Sequence, residues 1–408
     1  MADPEDPPWQ PMPRVPLATG QAVILLGGGL LISFGTINHA YAIMAGAIAD
    51  ELGITEPLFF SVLSVAMLIS GFAGPAMGRL VDRRLAIAVM SAGSAMAGIL
   101  YLGMGLAPSF WVLGALMVVL QVVSLAVLYG AAFPAVTRFS VQKARGAITH
   151  LTLIGGLAPT LFWPITGWLM AQCGWRITFL IFALLHLLIV LPLHLYILRR
   201  TPAAVRIVNQ PTPPVSPAVG LSPRLAFWLM AASFGITSIL STTLIVHLIP
   251  ILMAIELGAH TFLISMLVGP TMVLSRLALS VFWPDISPLR VAIIALVAFL
   301  AALACLAANL PTLVAGIAFV LFYGCAHGLN VISNGTLPLQ LFGAEGYGEV
   351  LGRLHLVRVL LGAGAPAAFS FALAMTDIGT IAIAGMAMVG AGLVPLLILG
   401  HLASRAHD

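Results

Sequence analysis

The 408-residue chain consists of long, unbroken apolar runs separated by short polar breaks. An α-helix needs about 20 apolar residues to cross a bilayer, whereas strands of a membrane barrel alternate apolar and polar residues. The continuous runs therefore predict membrane-spanning helices, and there are twelve of them. The predicted spans are residues 22–48, 58–78, 86–107, 110–133, 146–170, 177–198, 226–254, 261–283, 291–309, 312–336, 353–375 and 379–402.

The longest polar break divides these spans into six and six. It covers residues 199–224 and is rich in proline. The predicted organisation is a tail at 1–21, a six-helix bundle at 22–198, a linker at 199–224, a second six-helix bundle at 225–402 and a tail at 403–408. Four features recur between the halves at offsets of 202 to 205 residues. They are Gly74-Pro75 with Arg276-Leu277, Pro164 with Pro366, Phe133-Pro134 with Leu337-Pro338, and Glu51-Leu52-Gly53 with Glu256-Leu257-Gly258. Two parallel repeats of this kind are typical of transporters whose substrate site lies between the halves.

Composition and charge agree with a polytopic membrane protein. Only 7% of the residues are charged and mean hydropathy is +1.11, whereas soluble proteins contain about 25% charged residues. With the N-terminus inside, 14 of the 17 lysines and arginines fall on the inner side. The positive-inside rule then predicts cytoplasmic termini. We expect a multi-pass protein of a cell membrane, specifically a bacterial inner membrane.

The connection between the second and third spans carries a recognisable motif. It reads GPAMGRLVDRR at residues 74–84 and resembles the G-x-x-x-D-R signature of the major facilitator superfamily through Gly78, Asp82 and Arg83. Residues 174–176 and 337–352 are also similar to pieces of that family. The resemblance implies an all-α membrane protein with twelve transmembrane helices, arranged as two six-helix pseudo-repeats around a central cavity. It also implies that Gly78, Asp82 and Arg83 form a gate that holds the cytoplasmic side shut.

The same motif has a direct physical interpretation. Glycine at position 78 would let two helices approach closely. Asp82 could lie at the positive end of a neighbouring helix, and the eleventh span begins on the same side of the membrane. The alternative is a charge cluster that only fixes topology.

Two arginines lie inside predicted spans, although no span core contains an acidic residue. Helical rise places Arg276 about 6 Å and Arg358 about 9 Å below the membrane midplane. An unpaired guanidinium suits a carboxylate ligand, which it can bind through two parallel hydrogen bonds. For Arg276 the alternative is a structural role, and for Arg358 it is a side chain that reaches the cytoplasmic interface.

The surroundings of these arginines resemble one branch of the superfamily. The pattern L-V-G-x-x-x-x-x-x-R ending at Arg276 resembles the monocarboxylate transporters. A cation in the eighth span with a second in the eleventh, here Arg358, is similar to the oxalate–formate antiporters. The resemblance implies a mono- or dicarboxylate substrate whose carboxylate contacts Arg276.

Polar side chains in the first, fourth, seventh and tenth spans are further candidates for the substrate site, because a polar stripe in a membrane helix must face protein or water. The candidates are Asn38, Tyr41, Gln121, Tyr129, His247, Tyr323, His327 and Asn330. Each could instead make a hydrogen bond that only packs helices together. His39, His247 and His327 are the candidate proton carriers, since imidazole titrates near neutral pH. Otherwise the anion itself carries the coupling.

These observations predict a secondary active transporter of a small organic anion that works by alternating access. The alternatives are an exporter of apolar or cationic compounds, or a transporter of a neutral solute such as a sugar. The sequence contains no nucleotide-binding motif, nucleophile–base set or metal-ligand cluster. We therefore expect no enzymatic activity, no cofactor, no metal and no nucleic-acid partner. The expected partners are the anion, the lipid bilayer and protons, and the expected state is a monomer.

Overall fold

The computed structural model describes residues 17–83, 86–139, 143–201, 222–255, 260–308 and 312–404, and these residues form helices and no strands. Several sequence predictions lie outside the described residues. They concern residues 1–16 of the first tail, 202–221 of the linker, 405–408 of the second tail, Arg84, and the repeat feature at Glu256-Leu257-Gly258.

The first half contains six helices, α1 to α6, several of them interrupted near the middle. Helix α1 comprises Thr19–Phe34, the π-helical Gly35–His39 and Tyr41–Leu52; α2 is Glu56–Arg83; α3 is Ala86–Gly105; α4 comprises Phe110–Val127 and Tyr129–Thr137; α5 comprises Ala144–Gly156 and 158–173; α6 comprises 175–185, the π-helical His186–Val190 and Leu191–Arg200.

The second half contains α7 to α12. Helix α7 comprises Pro223–Val246 and Leu248–Ala254; α8 comprises Thr261–Ser265 and Val268–Phe282; α9 is Pro288–Ala307; α10 is Leu313–Phe342; α11 comprises Tyr347–Gly362 and Ala365–Met375; α12 is Ile378–Ser404.

The twelve predicted spans are confirmed, and their ends differ from the prediction by a few residues. Within the described residues, eleven helical stretches are long and apolar enough to cross a membrane. One of them, Ala144–Arg200, contains both α5 and α6. The chain reverses between these two helices at Gly174, where φ is +72°. Glycine adopts this left-handed conformation without the steric strain that a Cβ would cause.

Each half packs around its own apolar core. Tyr101, Phe179 and Phe182 are fully buried in the first half, and Phe299 and Phe319 are fully buried in the second. Other large apolar side chains point outward instead, among them Trp111, Trp168, Leu188, Phe282 and Met375. A helix that buries apolar residues on one side and exposes them on the other is suited to a lipid environment.

A polar cluster joins the end of α1, the connection between α3 and α4 and the start of α6 at one end of the bundle. The indole N–H of Trp175 and Nε of Arg176 donate to the two carboxylate oxygens of Glu51, at 2.6 and 2.7 Å. Arg176 also donates to the carbonyl of Ala107 at 2.7 Å. Glu51 lies beyond the predicted end of the first span. The hydrogen bond from Arg176 holds the pKa of this carboxyl group below its usual range. We call this end of the molecule the far face.

Candidate functional site

The opposite end of the bundle is where the two halves are joined, and we call it the latch face. Asp82, at the end of α2, accepts hydrogen bonds from the backbone N–H groups of Gly348 and Glu349, at 2.9 and 2.8 Å. These groups begin α11, so the carboxylate caps the positive end of a helix in the other half. The Arg138 guanidinium donates to the carbonyls of Val81 and Asp82. The position expected for Asp82 is thus confirmed, while its gating role stays a prediction, and Arg83 is exposed at this face.

Glycines allow α2 and α11 to pack backbone against backbone beside this cap. A Cβ added to Gly78 would collide with the carbonyl of Gly348, and one added to Gly74 would lie 2.7 Å from the carbonyl of Gly352. At its outer edge Glu349 pairs with Arg353 at 2.7 Å on its own helix and with Arg79 of the first half at 3.6 Å. The close approach predicted for Gly78 is confirmed.

A second junction between the halves lies deeper in the bundle than the latch face and involves Arg276. Its side chain is only 4% exposed. Nε donates to the carbonyl of Gly328 on α10 at 3.1 Å, and Nη1 donates to the carbonyl of Thr152 on α5 at 2.7 Å. Gly156 makes room for the guanidinium, because a Cβ there would overlap Nη1. In this conformation Arg276 therefore bridges the two halves through backbone carbonyls, a partner that the sequence analysis did not consider.

We expect Asp82→Asn to open the latch face. The substitution removes the charge that favours the α11 N-terminus, an interaction that contributes about 0.3–1 kcal/mol when exposed and up to about 2 kcal/mol when partly buried. Spin labels at Gly146 and Arg290, which are exposed in different halves, should report a longer distance by pulsed electron resonance. An unchanged distance distribution would show that the cap does not hold the latch face closed.

A cavity of about 350 Å³ lies between the halves, next to the contact between α2 and α11. Helices α1, α2 and α4 line it from the first half, and α10 and α11 line it from the second. Its polar lining consists of Asn38, Ser70, Gln121, Ser124, Tyr129, Asn334, His355 and Arg358. An apolar cavity with a few convergent polar groups is the usual form of a small-molecule site.

Arg358 is the one charged residue among those that line the cavity. Its Nε has no hydrogen-bond partner within the described part of the chain, although the atom is buried. No Asp or Glu of the described residues forms an ion pair with Arg358 or with Arg276. The two arginines therefore differ: Arg276 is engaged with backbone carbonyls, whereas Arg358 has donor capacity beside the cavity.

Four of the ten sequence-predicted binding residues meet at this cavity, namely Asn38, Gln121, Tyr129 and Arg358. The ring of Tyr129 packs against those of Phe34 and Phe133, with centroids 4.6 and 4.7 Å away.

The other six predicted residues do not line it. Tyr41 and Tyr323 are buried in the cores of their own halves, and the Tyr323 hydroxyl donates to the carbonyl of Ser241. His247 contacts the carbonyl of Thr243 and the hydroxyl of Ser370, at 3.1 and 2.7 Å. Asn330 is buried.

His327, like Arg276, is outside the cavity lining. It is within electrostatic range of both Arg276 and Arg358, and its Nδ1 is buried without a partner among the described residues. This histidine therefore lies near both of the arginines that the sequence predicted as substrate ligands.

Ser70 and His355 belong to the cavity but were missed in the sequence. The Ser70 hydroxyl and Nε2 of His355 are 3.3 Å apart and join α2 to α11 across the halves. A signal was present, because His355 precedes Arg358 by three residues and so shares its helix face. Asn334 and Ser124 were visible as polar positions in the predicted tenth and fourth spans, and only the structure brings them to the cavity.

A profile of the Major Facilitator Superfamily matches residues 25–366, well over half of the chain. The chain belongs to the major facilitator superfamily. It is therefore a transporter with an alternating-access fold and not an enzyme. A comparison with curated protein sequences found no significant match.

Solved structures of superfamily members share the fold. The human organic anion transporter MFSD10 (TETRAN) is 16% identical with a TM-score of 0.69, covering 96% of this chain and 100% of that one. The proton:xylose symporter XylE, bound to 6-bromo-6-deoxy-D-glucose, is 14% identical with a TM-score of 0.66, covering 94% and 96%. The transporter FucP, in the outward conformation, is 13% identical with a TM-score of 0.68, covering 92% and 98%. At these identities the likeness concerns the fold alone.

Proposed function

We propose that this protein is a secondary active transporter of small organic anions and that Arg358 binds the substrate carboxylate. The observation that carries the proposal is the uncompensated guanidinium of Arg358 at the wall of the inter-half cavity. A permanent charge at membrane depth costs at least ~2.5 kcal/mol, and intramembrane charges usually serve a substrate or ion path. A bound carboxylate would neutralise it and accept its hydrogen bonds.

A monocarboxylate fits this lining better than a dicarboxylate. Among the described residues that line the cavity, Arg358 is the one cation. Arg276 lies outside the lining, and its Nε and Nη1 donate to the carbonyls of Gly328 and Thr152. The amides of Asn38, Gln121 and Asn334 can bind a hydroxyl or carbonyl elsewhere on the same molecule. MFSD10 is an organic anion transporter by its description, which agrees with the proposal without carrying it.

A neutral solute is the second candidate. Three amide side chains around one cavity could also bind sugar hydroxyls, and the similar XylE is described as a proton:xylose symporter. This reading leaves Arg358 without an anionic partner, which is why we place it second. An exporter of cationic compounds fits poorly, because a positive ligand would be repelled by Arg358.

The charge distribution also suggests an orientation. We propose that the latch face is cytoplasmic, because the basic residues of the sequence concentrate on that side. Both termini would then be cytoplasmic, and the conformation described here, closed at the latch face, would be the outward-facing one. A bacterial inner membrane, a monomeric state and protons as the coupling ion belong to the same proposal.

Uptake by proteoliposomes tests the substrate class directly. We expect accumulation of at least one labelled carboxylate from a panel of formate, acetate, lactate, oxalate and succinate, and none of xylose or fucose. Empty liposomes give the background. Uptake of a sugar and of no carboxylate would overturn the anion proposal in favour of the neutral-solute reading.

Arg276 offers a separate prediction. When the halves part at the latch face, the Thr152 carbonyl leaves Arg276, and we propose that the guanidinium then contacts the carboxylate. Lysine keeps the charge but lacks the planar fork of donors with which arginine binds a carboxylate through two parallel hydrogen bonds. Hydrogen bonds to charged groups contribute about 1.5–3 kcal/mol, so Arg276→Lys should slow uptake about tenfold or more.

The same variant should still bind the anion when the latch face is closed, because Arg358 is intact. Thermal stabilisation of Arg276→Lys by the transported anion measures this binding. Wild-type uptake rates in Arg276→Lys would show that Arg276 is dispensable for the conformational cycle.

A further inference from the structure

We propose that His355 is the proton-binding residue of this transporter and that a proton on its imidazole binds together with the anion at Arg358. The inference rests on the proposed function, because it needs a negative substrate at that arginine. It makes the protein a proton–anion symporter and places the coupling at one turn of α11. His39, His247 and His327 are the candidates for this role in the sequence, whereas His355 was missed there.

His355 and Arg358 are neighbours on the same face of α11. It lines the inter-half cavity, as Arg358 does, and residues three apart on a helix are neighbours with Cβ atoms about 5–6 Å apart. An anion held by Arg358 from the cavity is therefore within reach of the imidazole. Of the four histidines considered for proton coupling, His355 alone lines this cavity.

The imidazole of His355 contacts a hydroxyl group of the other half. Nε2 of His355 lies 3.3 Å from the Ser70 hydroxyl on α2. A hydroxyl can donate to a neutral imidazole nitrogen or accept from a protonated one. His355 can thus gain or lose a proton without giving up the contact that joins the halves.

Electrostatics supplies the coupling. An imidazolium and a guanidinium one turn apart repel each other, strongly so in the low dielectric of a protein interior. A carboxylate between them replaces this repulsion by two attractions. Proton and anion therefore favour each other's binding, and the coupling must be reciprocal.

Among the described residues, no other group is better placed to carry the proton that accompanies the anion. The titratable or charged residues of the cavity lining are Tyr129 on α4, His355 and Arg358. Outside the lining, His327 on α10 lies within electrostatic range of Arg358. Arg276 on α8 is engaged by carbonyls. Asp82 on α2 is engaged by the α11 N-terminus, seven residues or about 10 Å along the helix from His355.

Proton uptake on anion binding tests the proposal. Purified protein in weakly buffered detergent solution, with a pH-sensitive dye, receives formate, acetate, lactate, oxalate or succinate. We expect the wild type to take up a proton with the bound anion. We also expect anion affinity to fall about tenfold per pH unit once His355 is deprotonated in the free protein. In His355→Gln the anion should bind without proton uptake and with a flat pH dependence.

A matched variant separates coupling from structural damage. His150→Gln removes an exposed imidazole on α5 and should keep wild-type proton uptake.

Three results would contradict the assignment to His355, the proton coupling or the proposed function, respectively. Unchanged proton uptake in His355→Gln would overturn the assignment to His355 while leaving the anion site intact. Anion binding by the wild type with no proton uptake would overturn proton coupling altogether. If no carboxylate of the panel binds the wild type, the proposed function fails and the inference fails with it.

Discussion

Arg358→Gln is expected to abolish carboxylate uptake. The guanidinium is the one charge in the cavity lining and its Nε has no protein partner in the described chain. Removing one partner of a buried, hydrogen-bonded charge pair costs about 2–5 kcal/mol, so anion affinity should fall at least about thirtyfold. Initial rates of labelled anion uptake into proteoliposomes measure the effect.

Arg353→Gln is the matched control for this substitution. Arg353 lies on the same helix, is exposed at the latch face, and pairs with Glu349. Exposed pairs contribute about 0.2–1 kcal/mol, so uptake should remain near that of the wild type. Equal loss of uptake in both variants would mean that helix α11, and not a specific charge, is being perturbed.

Gly352→Ala is expected to prevent closure of the latch face. A Cβ on Gly352 would overlap the carbonyl of Gly74 and lie 3.1 Å from Cα of Pro75. Backbone atoms cannot move aside as a flexible side chain can, and overpacking of this kind costs about 1–3 kcal/mol. Because 1.4 kcal/mol changes an equilibrium constant tenfold, the variant should populate mainly states that are open at the latch face. Spin-label distances between Gly146 and Arg290 should lengthen, and uptake should be lost.

Gly364→Ala tests whether the effect is specific to the helix contact. Gly364 also lies on α11, at the break between its two segments, and nothing lies within 4 Å of a Cβ placed there. We expect its distance distribution and transport to match the wild type. A wild-type distance in Gly352→Ala would contradict the close packing of α2 against α11.

The architecture could be predicted from the sequence because the bilayer imposes one length on every span. The twelve apolar runs gave the twelve helices to within a few residues. The position of Asp82 followed from a short motif together with the start of α11 at the same face. Both depend on local pattern, which a single sequence contains.

The roles of the two arginines could not be separated in the same way. Depth along the helix placed Arg276 and Arg358 at similar levels, but the partners of Arg276 are the backbone carbonyls of Thr152 and Gly328. Every residue has a carbonyl, so no sequence pattern marks these two. Only the packing of α5 and α10 against α8 makes them available.

The polar stripe of α10 shows a related limit. Tyr323, His327, Asn330 and Asn334 share a face in the sequence, yet only Asn334 lines the cavity. A polar residue in a membrane helix can form its hydrogen bonds with a neighbouring helix as well as with the contents of a cavity. The Tyr323 hydroxyl does the former, because it donates to the Ser241 carbonyl on α7. The breaks at Leu128, Leu157 and His247 also escaped prediction, because a short interruption does not alter an apolar run.

The most direct test of the anion site is ligand binding to the purified protein, measured as thermal stabilisation, because it needs neither a gradient nor a complete transport cycle. A ligand that binds only the folded state stabilises it by RT ln(1 + [L]/Kd), and so raises the melting temperature more as its concentration exceeds its Kd. We predict stabilisation of the wild type and of Arg353→Gln by at least one carboxylate of the panel, no stabilisation of Arg358→Gln, and none of any variant by xylose or fucose. Equal stabilisation of Arg358→Gln and the wild type by a carboxylate would contradict the proposed site.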